Sequence, residues 1–381
     1  MKNTLLAMLA ALLVIDAAYA VDEVSLLADE MFVSGTIDED EDETATKNDE
    51  NEDSSGSIFG FIVRPLSKIF GSDDDVTQKE EGAKESYLER SIRLAGEGSL
   101  EDQMNLAYMY LYGTNGVEQD FAASLKYYTM AAEQNNPIAL NNLGSLYFNG
   151  IGTPKNIKKA LEMFKKASNL GNSDASVNLA FIYLKGGPHD AERNRIAVEL
   201  FEKAHEQNNI AKFMLGYAHY KGFVVDRNYE QAFKLIKAAA GGESMIDEAQ
   251  LTLAGMYING EGTVQNYQKA IEAYRAAVLQ GNIEAIMTLA GIYNEGKITP
   301  RNPVLAHALY NIAAAQNVES AAKKREDLSR ELPLESLTKA QETAQNYEAS
   351  ASELTTYIRQ TYGLNIRNYI NNNIIIKPEQ K

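Results

Sequence analysis

Four histidines, 53 acidic side chains and a few glycine pairs are the residues of this 381-residue chain whose chemistry could be catalytic. The histidines are His189, His205, His219 and His307. No two stand at metal-ligand spacing, and no HExxH run occurs. The absence of cysteine excludes a disulfide framework, a thiolate metal site, a cysteine nucleophile and lipoprotein-type acylation. No GxSxG elbow, P-loop or dinucleotide fingerprint is present. Gly150-Ile151-Gly152 and Gly260-Glu261-Gly262 superficially resemble phosphate cradles. Their position is fixed by a longer period, so they read as structural loops. His219 stands in a slot otherwise filled by tyrosine and is expected to be a core imidazole. The expectation is a chain with no catalytic, cofactor-binding or metal-binding residues, and not an enzyme.

The elements behind these residues begin with charge. Lys and Arg number 36 against 53 Asp and Glu, a formal charge of −17, which argues against generic nucleic-acid binding. Residues 22–53 hold 14 acidic side chains against the single Lys47. At 45% hydrophobic residues the remainder can bury a substantial core, as two or three globular units or one elongated array. Residues 1–20 read as a signal peptide: Lys2, the apolar run Leu5–Val14, and the small-x-small site Ala18-Tyr19-Ala20. Cleavage would leave Val21 first and place the chain in a periplasm or outside the cell. No later stretch is long and apolar enough to span a bilayer.

Residues 21–83 read as an acidic, mostly disordered leader, because Asp38–Glu43 repels itself and its neighbours offer no core. An apolar island at 58–70 interrupts it, with Phe59, Phe61, Ile62 and Phe70 as a docking segment and Pro65 forbidding one continuous helix. Arg64 and Lys68 are the island's basic residues, and both flanks are acidic. Docking on protein, first on this chain's own array and then on a partner, is therefore expected ahead of a membrane surface.

From about residue 84 the chain repeats itself. A glycine recurs at Gly113, Gly150, Gly186, Gly222, Gly260 and Gly296, in steps of 36 to 38 residues. Seven residues before each stands Leu106, Leu143, Leu179, Leu215, Leu253 or Leu289. A small residue follows each leucine, and four positions past it comes Tyr110, Tyr147, Tyr183, His219, Tyr257 or Tyr293. Beyond the glycine loop lie small, large-apolar and small residues at +0, +4 and +7, as in Ala160, Phe164 and Ala167.

This spacing predicts two helices per unit. Helix A carries leucine, small residue and aromatic along one face, the small residue admitting a neighbouring helix closely. The recurring glycine can take the left-handed conformation that ends helix A. Asp120, Asn156, Asn228, Asn266 and Asn302 are placed to cap helix B. Asn135, Gly171, Asn208, Gly281 and Asn317 mark where the next unit begins. One pair cannot bury its apolar face alone, so antiparallel pairs of about 36 residues are expected to stack.

Asn141–Gly152 and Leu251–Gly262 resemble helix A and loop of the Sel1-like repeat family, and Lys269–Ala277 resembles its helix B. The resemblance covers roughly 84–348. It implies an all-α fold, a right-handed superhelical α-solenoid of about six repeats plus capping helices. It also implies a scaffold or adaptor role toward a protein partner or an envelope polymer. The family's hydrolase-like members set the alternative, an enzyme acting on a cell-wall-related substrate, and the 58–70 island suggests a membrane-associated scaffold. Departures are the missing helix-B tryptophan, His219 and the irregular Gly186-Gly187-Pro188 loop.

The expected organisation is a half-repeat at 84–98, six repeats over 99–318, capping helices at 319–350, and a tail at 351–381 that the sequence does not place. The final helix is expected at Glu335–Ser350 with Leu337, Ala340, Ala344 and Tyr347 inward. In such arrays the A helices line the concave side. The positions two before, two after and five after the recurring leucine are expected to face a partner there. Tyr108, Phe148, Phe181, Phe213, Tyr217 and Tyr220 are the candidate anchors, since rings bring large contact area at small entropic cost.

Overall fold

A computed structural model describes residues 86–185, 190–242, 246–362 and 367. The signal peptide, the acidic leader, the docking segment Phe59, Phe61, Ile62 and Phe70, His189, the Gly186 loop and most of the tail lie outside the described residues. Among the described residues every regular element is an α-helix. The chain divides into two compact units, one ending at Ala204 and one beginning at His205.

The first unit holds α1 (Tyr87–Gly96), α2 (Leu100–Tyr112), α3 (Phe121–Glu133), α4 (Pro137–Asn149), α5 (Ile157–Asn169), α6 (Ser173–Leu184) and α7 (Ala191–Ala204). The second holds α8 (Asn209–Lys221), α9 (Tyr229–Ala239), α10 (Asp247–Asn259), α11 (Tyr267–Leu279), α12 (Ile283–Glu295) and α13 (Pro303–Ala315). It continues through α14 (Glu319–Glu331), α15 (Leu334–Gln345) and α16 (Glu353–Tyr362). Even-numbered helices from α2 to α12 are the A helices. Each packs against the B helix that follows it, and within each unit that B helix packs against the next A helix.

Local chemistry sets the helix ends. Asp120, Asn156, Asn228, Asn266 and Asn302 each accept the backbone N–H three residues on, as the sequence predicts. Helices α2, α4, α8, α10 and α12 all stop at a left-handed glycine. Of the residues expected to open each new unit, Asn135, Gly171, Gly281 and Asn317 have positive φ. Asn208 departs from that pattern: its φ is −128°, and its side chain instead caps α8 by accepting from Ile210 and Ala211.

The small residue after the leucine does what the spacing demands. A Cβ on Gly144 would lie 2.9 Å from the Phe164 ring, and one on Gly216 would lie 2.9 Å from Leu235 and Ile236. The A and B helices therefore meet at a separation only a small residue permits. Around these approaches Leu106, Tyr128, Phe164, Phe201, Ile236 and Tyr310 are fully buried.

The glycine pairs are explained by packing. Gly152 and Gly262 have φ of 70° and 69°. A Cβ on either would run into a backbone carbonyl at the start of the preceding B helix, that of Phe121 or of Tyr229. These loops join one repeat to the one before it.

At the C-terminal end α14 and α15 both pack on α13. The final capping helix is shorter than expected, ending at Gln345 rather than Ser350. Ala340 is buried, and Ala344 and Tyr347 pack on the core of the last repeats as predicted. The helix ends because the chain then turns back: the Tyr347 hydroxyl donates to the Val278 carbonyl and the Ser350 N–H to that of Leu279.

Candidate interaction surface

The exposure of the six candidate rings differs from the sequence reading. Phe148, Phe181, Phe213 and Tyr217 are buried at 5% exposure or less, so they are not free anchors in this structure. Phe181 meets Phe201 of its own B helix edge-to-face at 5.6 Å between centroids, which makes it part of the pair's core. Phe213 and Tyr217 pack against each other at 5.8 Å, one turn apart on α8. Tyr108 and Tyr220 remain partly exposed. Burial pushes the Tyr220 hydroxyl above its usual range, helped by the hydrogen bond it donates to Glu261. Farther along the second unit Leu251 is buried, but the other corresponding A-helix positions are more open. Ile258, Met287 and Asn294 are partly exposed, and a Cβ built on Gly255 would meet no described atom within 4 Å beyond the adjoining backbone of its own helix.

The histidines form no cluster. His219 is partly exposed rather than core, its Nδ1 3.4 Å from the Asp226 carbonyl. Tyr110, Tyr147 and Tyr183 are partly exposed in the same slot, whereas Tyr257 and Tyr293 are buried. His205 lies 3.0 Å from the Glu206 carboxylate. His307 is buried between α13 and α14, where its Nε2 meets the Ser329 hydroxyl at 2.9 Å. Burial, with the Arg325 charge second, holds its pKa below the usual 6.5. Among the described residues no three His, Asp or Glu side chains are grouped to hold a metal ion. In the first unit Lys185 is pushed down to about 7 by burial and by the nearby Lys155 charge.

The sequence reading missed a set of carboxylates at the start of α10 and α12. Asp247 and Glu248 are each 2% exposed, while Glu284 is exposed. Asp247 accepts from the Asn282 amide at 2.8 Å and from the Arg359 guanidinium at 2.8 Å. Glu248 accepts the backbone N–H of Arg367 at 3.1 Å, and the Arg367 guanidinium pairs with Glu284. The two arginines belong to the tail that the sequence left unplaced. One local signal could have pointed here. Asn136, Asn172, Asn208 and Asn282 cap A helices, but Ile246 occupies that position in α10 and makes no side-chain cap.

Six consecutive segments match the Sel1 repeat model: residues 100–136, 137–172, 173–209, 210–242, 247–282 and 283–318. The ERAD-associated E3 ubiquitin-protein ligase component HRD3B of Arabidopsis thaliana is 27% identical over 128 residues, 33% of this chain and 20% of that protein. Chitin synthase regulatory factor 1 of Schizosaccharomyces pombe is 32% identical over 136 residues, 35% of this chain and 28% of that protein. The chain thus spans between a fifth and three tenths of the length of these curated relatives. Among solved structures, a protective antigen present in uropathogenic Escherichia coli strains and displaying an SLR fold is similar at a TM-score of 0.60 and 29% identity. That similarity covers 72% of this chain and 58% of the antigen. With matched segments taking up more than half of the sequence, and with helix pairs and caps in register with them, the chain belongs to the Sel1 repeat family.

Proposed function

We propose that this protein is an exported, non-catalytic scaffold that holds protein partners against the A-helix face of its repeats. The observation that carries the reading is the uneven packing of that face in the second unit. Tyr220, Ile258, Met287 and Asn294 keep accessible surface beside the open position at Gly255. Aromatic and flexible apolar side chains around an unfilled position are the usual anchors of protein recognition. Two relatives, named as a component of a ubiquitin ligase and as a regulatory factor of a synthase, support the reading, since both names attach a protein to another's activity. Export rests on Lys2, the apolar run Leu5–Val14 and the Ala18-Tyr19-Ala20 site.

A photo-crosslinking residue placed at Tyr108 or Tyr220 tests the scaffold, with Lys158 on α5 and Glu272 on α11 as outward-facing controls. Protein adducts at the first pair and none at the controls are expected. Equal labelling at all four sites, or none at any, overturns the reading. N-terminal sequencing tests export: Val21 should be first on the mature chain, and Met1 on the accumulated protein would refute it.

A further inference from the structure

The tail runs back over the repeats of the second unit. After α15 the chain reaches the α11–α12 connection, where Ser350 donates to the Leu279 carbonyl at 2.7 Å. Thr355 is fully buried and donates from its hydroxyl to Gln280 at 2.6 Å. The same hydroxyl accepts the Asp247 N–H at 3.2 Å. Thr355 therefore supplies the α10 cap that Ile246 cannot, at the one A helix of the six matched repeats that lacks a capping side chain. Arg359 then pairs with Asp247, and Arg367 reaches Glu248 and Glu284, in the fifth and sixth repeats. One segment thus contacts two neighbouring A helices, α10 through Thr355, Arg359 and Arg367 and α12 through Arg367.

Burial makes this pairing compulsory. Asp247 and Glu248 are 2% exposed, and a desolvated carboxylate left without a cation is strongly unfavourable. The guanidinium fork suits such sites better than an ammonium, because it is planar, weakly hydrated and always charged. Removing an arginine without replacement leaves a buried charge unpaired, whereas an incoming arginine restores the pair and has to outcompete the effective concentration of the tethered tail. A face of this kind selects for arginine-bearing chain and tolerates an exchange of occupant.

We propose that the A-helix face of α10 and α12, with Asp247, Glu248 and Glu284 as its carboxylates, is the surface that binds an arginine-bearing segment of a partner protein, and that Thr355, Arg359 and Arg367 of the chain's own tail occupy it in cis. The inference deepens the scaffold reading and rests on it. The partner segment enters by displacing Arg359 and Arg367 and supplying its own guanidinium groups.

The test uses the full chain and a fluorescent synthetic peptide of residues 351–367. The double variant R359E/R367E repels its own tail from the carboxylates. It should bind the peptide at least tenfold more tightly than the unmodified chain, by fluorescence anisotropy. Adding D247N and E248Q, or replacing both peptide arginines by alanine, should abolish that gain. Equal binding by the two chains, with matching circular dichroism, overturns the proposal. So does a dimer of the unmodified chain that dissociates on the R359E/R367E change, which would assign the face to a second copy. A second measurement covers a double variant that fails to fold. In the unmodified chain, amides of 354–360 should exchange hydrogen at least tenfold faster than those in the middle of α10 and α12. Exchange at the same rate would make the tail an inseparable part of the fold and overturn the proposal. Crosslinking at Tyr108 uses none of these carboxylates, so failure of the scaffold reading and failure of this one are distinguishable.

Discussion

Gly262→Ala separates the inter-repeat role of the glycine loops from any other use of them. Gly262 has φ of 69°, and a Cβ there would fall on the Tyr229 carbonyl at the start of α9. The left-handed conformation costs a non-glycine residue about 1–2 kcal/mol. Overfilling a packed contact costs about 1–3 kcal/mol more. Together the substitution should destabilise the second unit by about 2–5 kcal/mol. At about 2–4 °C per kcal/mol for a unit of this size, the thermal midpoint should fall by at least about 4 °C. Gly255→Ala is the internal control. It lies within α10, where the added Cβ meets no described atom within 4 Å beyond the adjoining backbone of its own helix, so only helix propensity changes. That control should gain about 0.5–1 kcal/mol. The assay is thermal and urea unfolding of both variants followed by circular dichroism at the helix band. If Gly262→Ala melts within 1 °C of the unmodified chain, or if both variants fall together, the loop contact does not join the repeats and the reasoning is refuted.

Capping is tested by Asn266→Ala, which removes the acceptor for the Lys269 N–H at 2.9 Å and should cost about 1 kcal/mol in urea unfolding. Thr355→Val removes a cap 108 residues away from the helix it serves and should cost a similar amount, about 0.5–2 kcal/mol. The Ser329 hydroxyl donates to the Arg325 carbonyl, so it accepts from His307 Nε2–H and leaves Nδ1 unprotonated, with no described partner for an added proton. Because the folded pKa of His307 is held below 6.5, the unfolded chain binds the extra proton first, and stability falls as pH drops through about 6.5. His307→Gln should flatten that acid limb in denaturation measured between pH 7 and 5, and an unchanged slope would refute the assignment. Deleting residues 22–55 should leave the thermal midpoint of the repeats within about 1 °C, since so charged a segment has little to bury.

Helix boundaries were legible because they depend on residues within three or four positions of one another. An asparagine or aspartate oxygen three residues before a free N–H makes the same bond in every B helix, and a glycine with positive φ ends five of the six A helices in the same way. Repetition strengthened these signals, since the Leu143, Gly144, Tyr147 and Gly150 pattern recurs six times. The exception at Asn208 is also local, where the side chain caps the next helix and the backbone stays extended.

The sequence by itself thus determined the repeat, the helix pairs, their caps and the close approach at Gly144 and Gly216. Only the tertiary structure decided which rings keep solvent. Phe181 and Tyr108 share a position in the repeat, yet one is fully buried against Phe201 and the other is partly exposed. Periodicity assigns a face to a residue, whereas exposure depends on what neighbours of different size place beside it. Nor could periodicity place the tail, which follows no repeat. Its binding to Gln280, Asp247 and Glu248 joins residues 75 to 119 positions apart. Such pairings leave no spacing to read, because they arise from desolvated carboxylates and an uncapped helix end meeting the arginines and the hydroxyl that satisfy them.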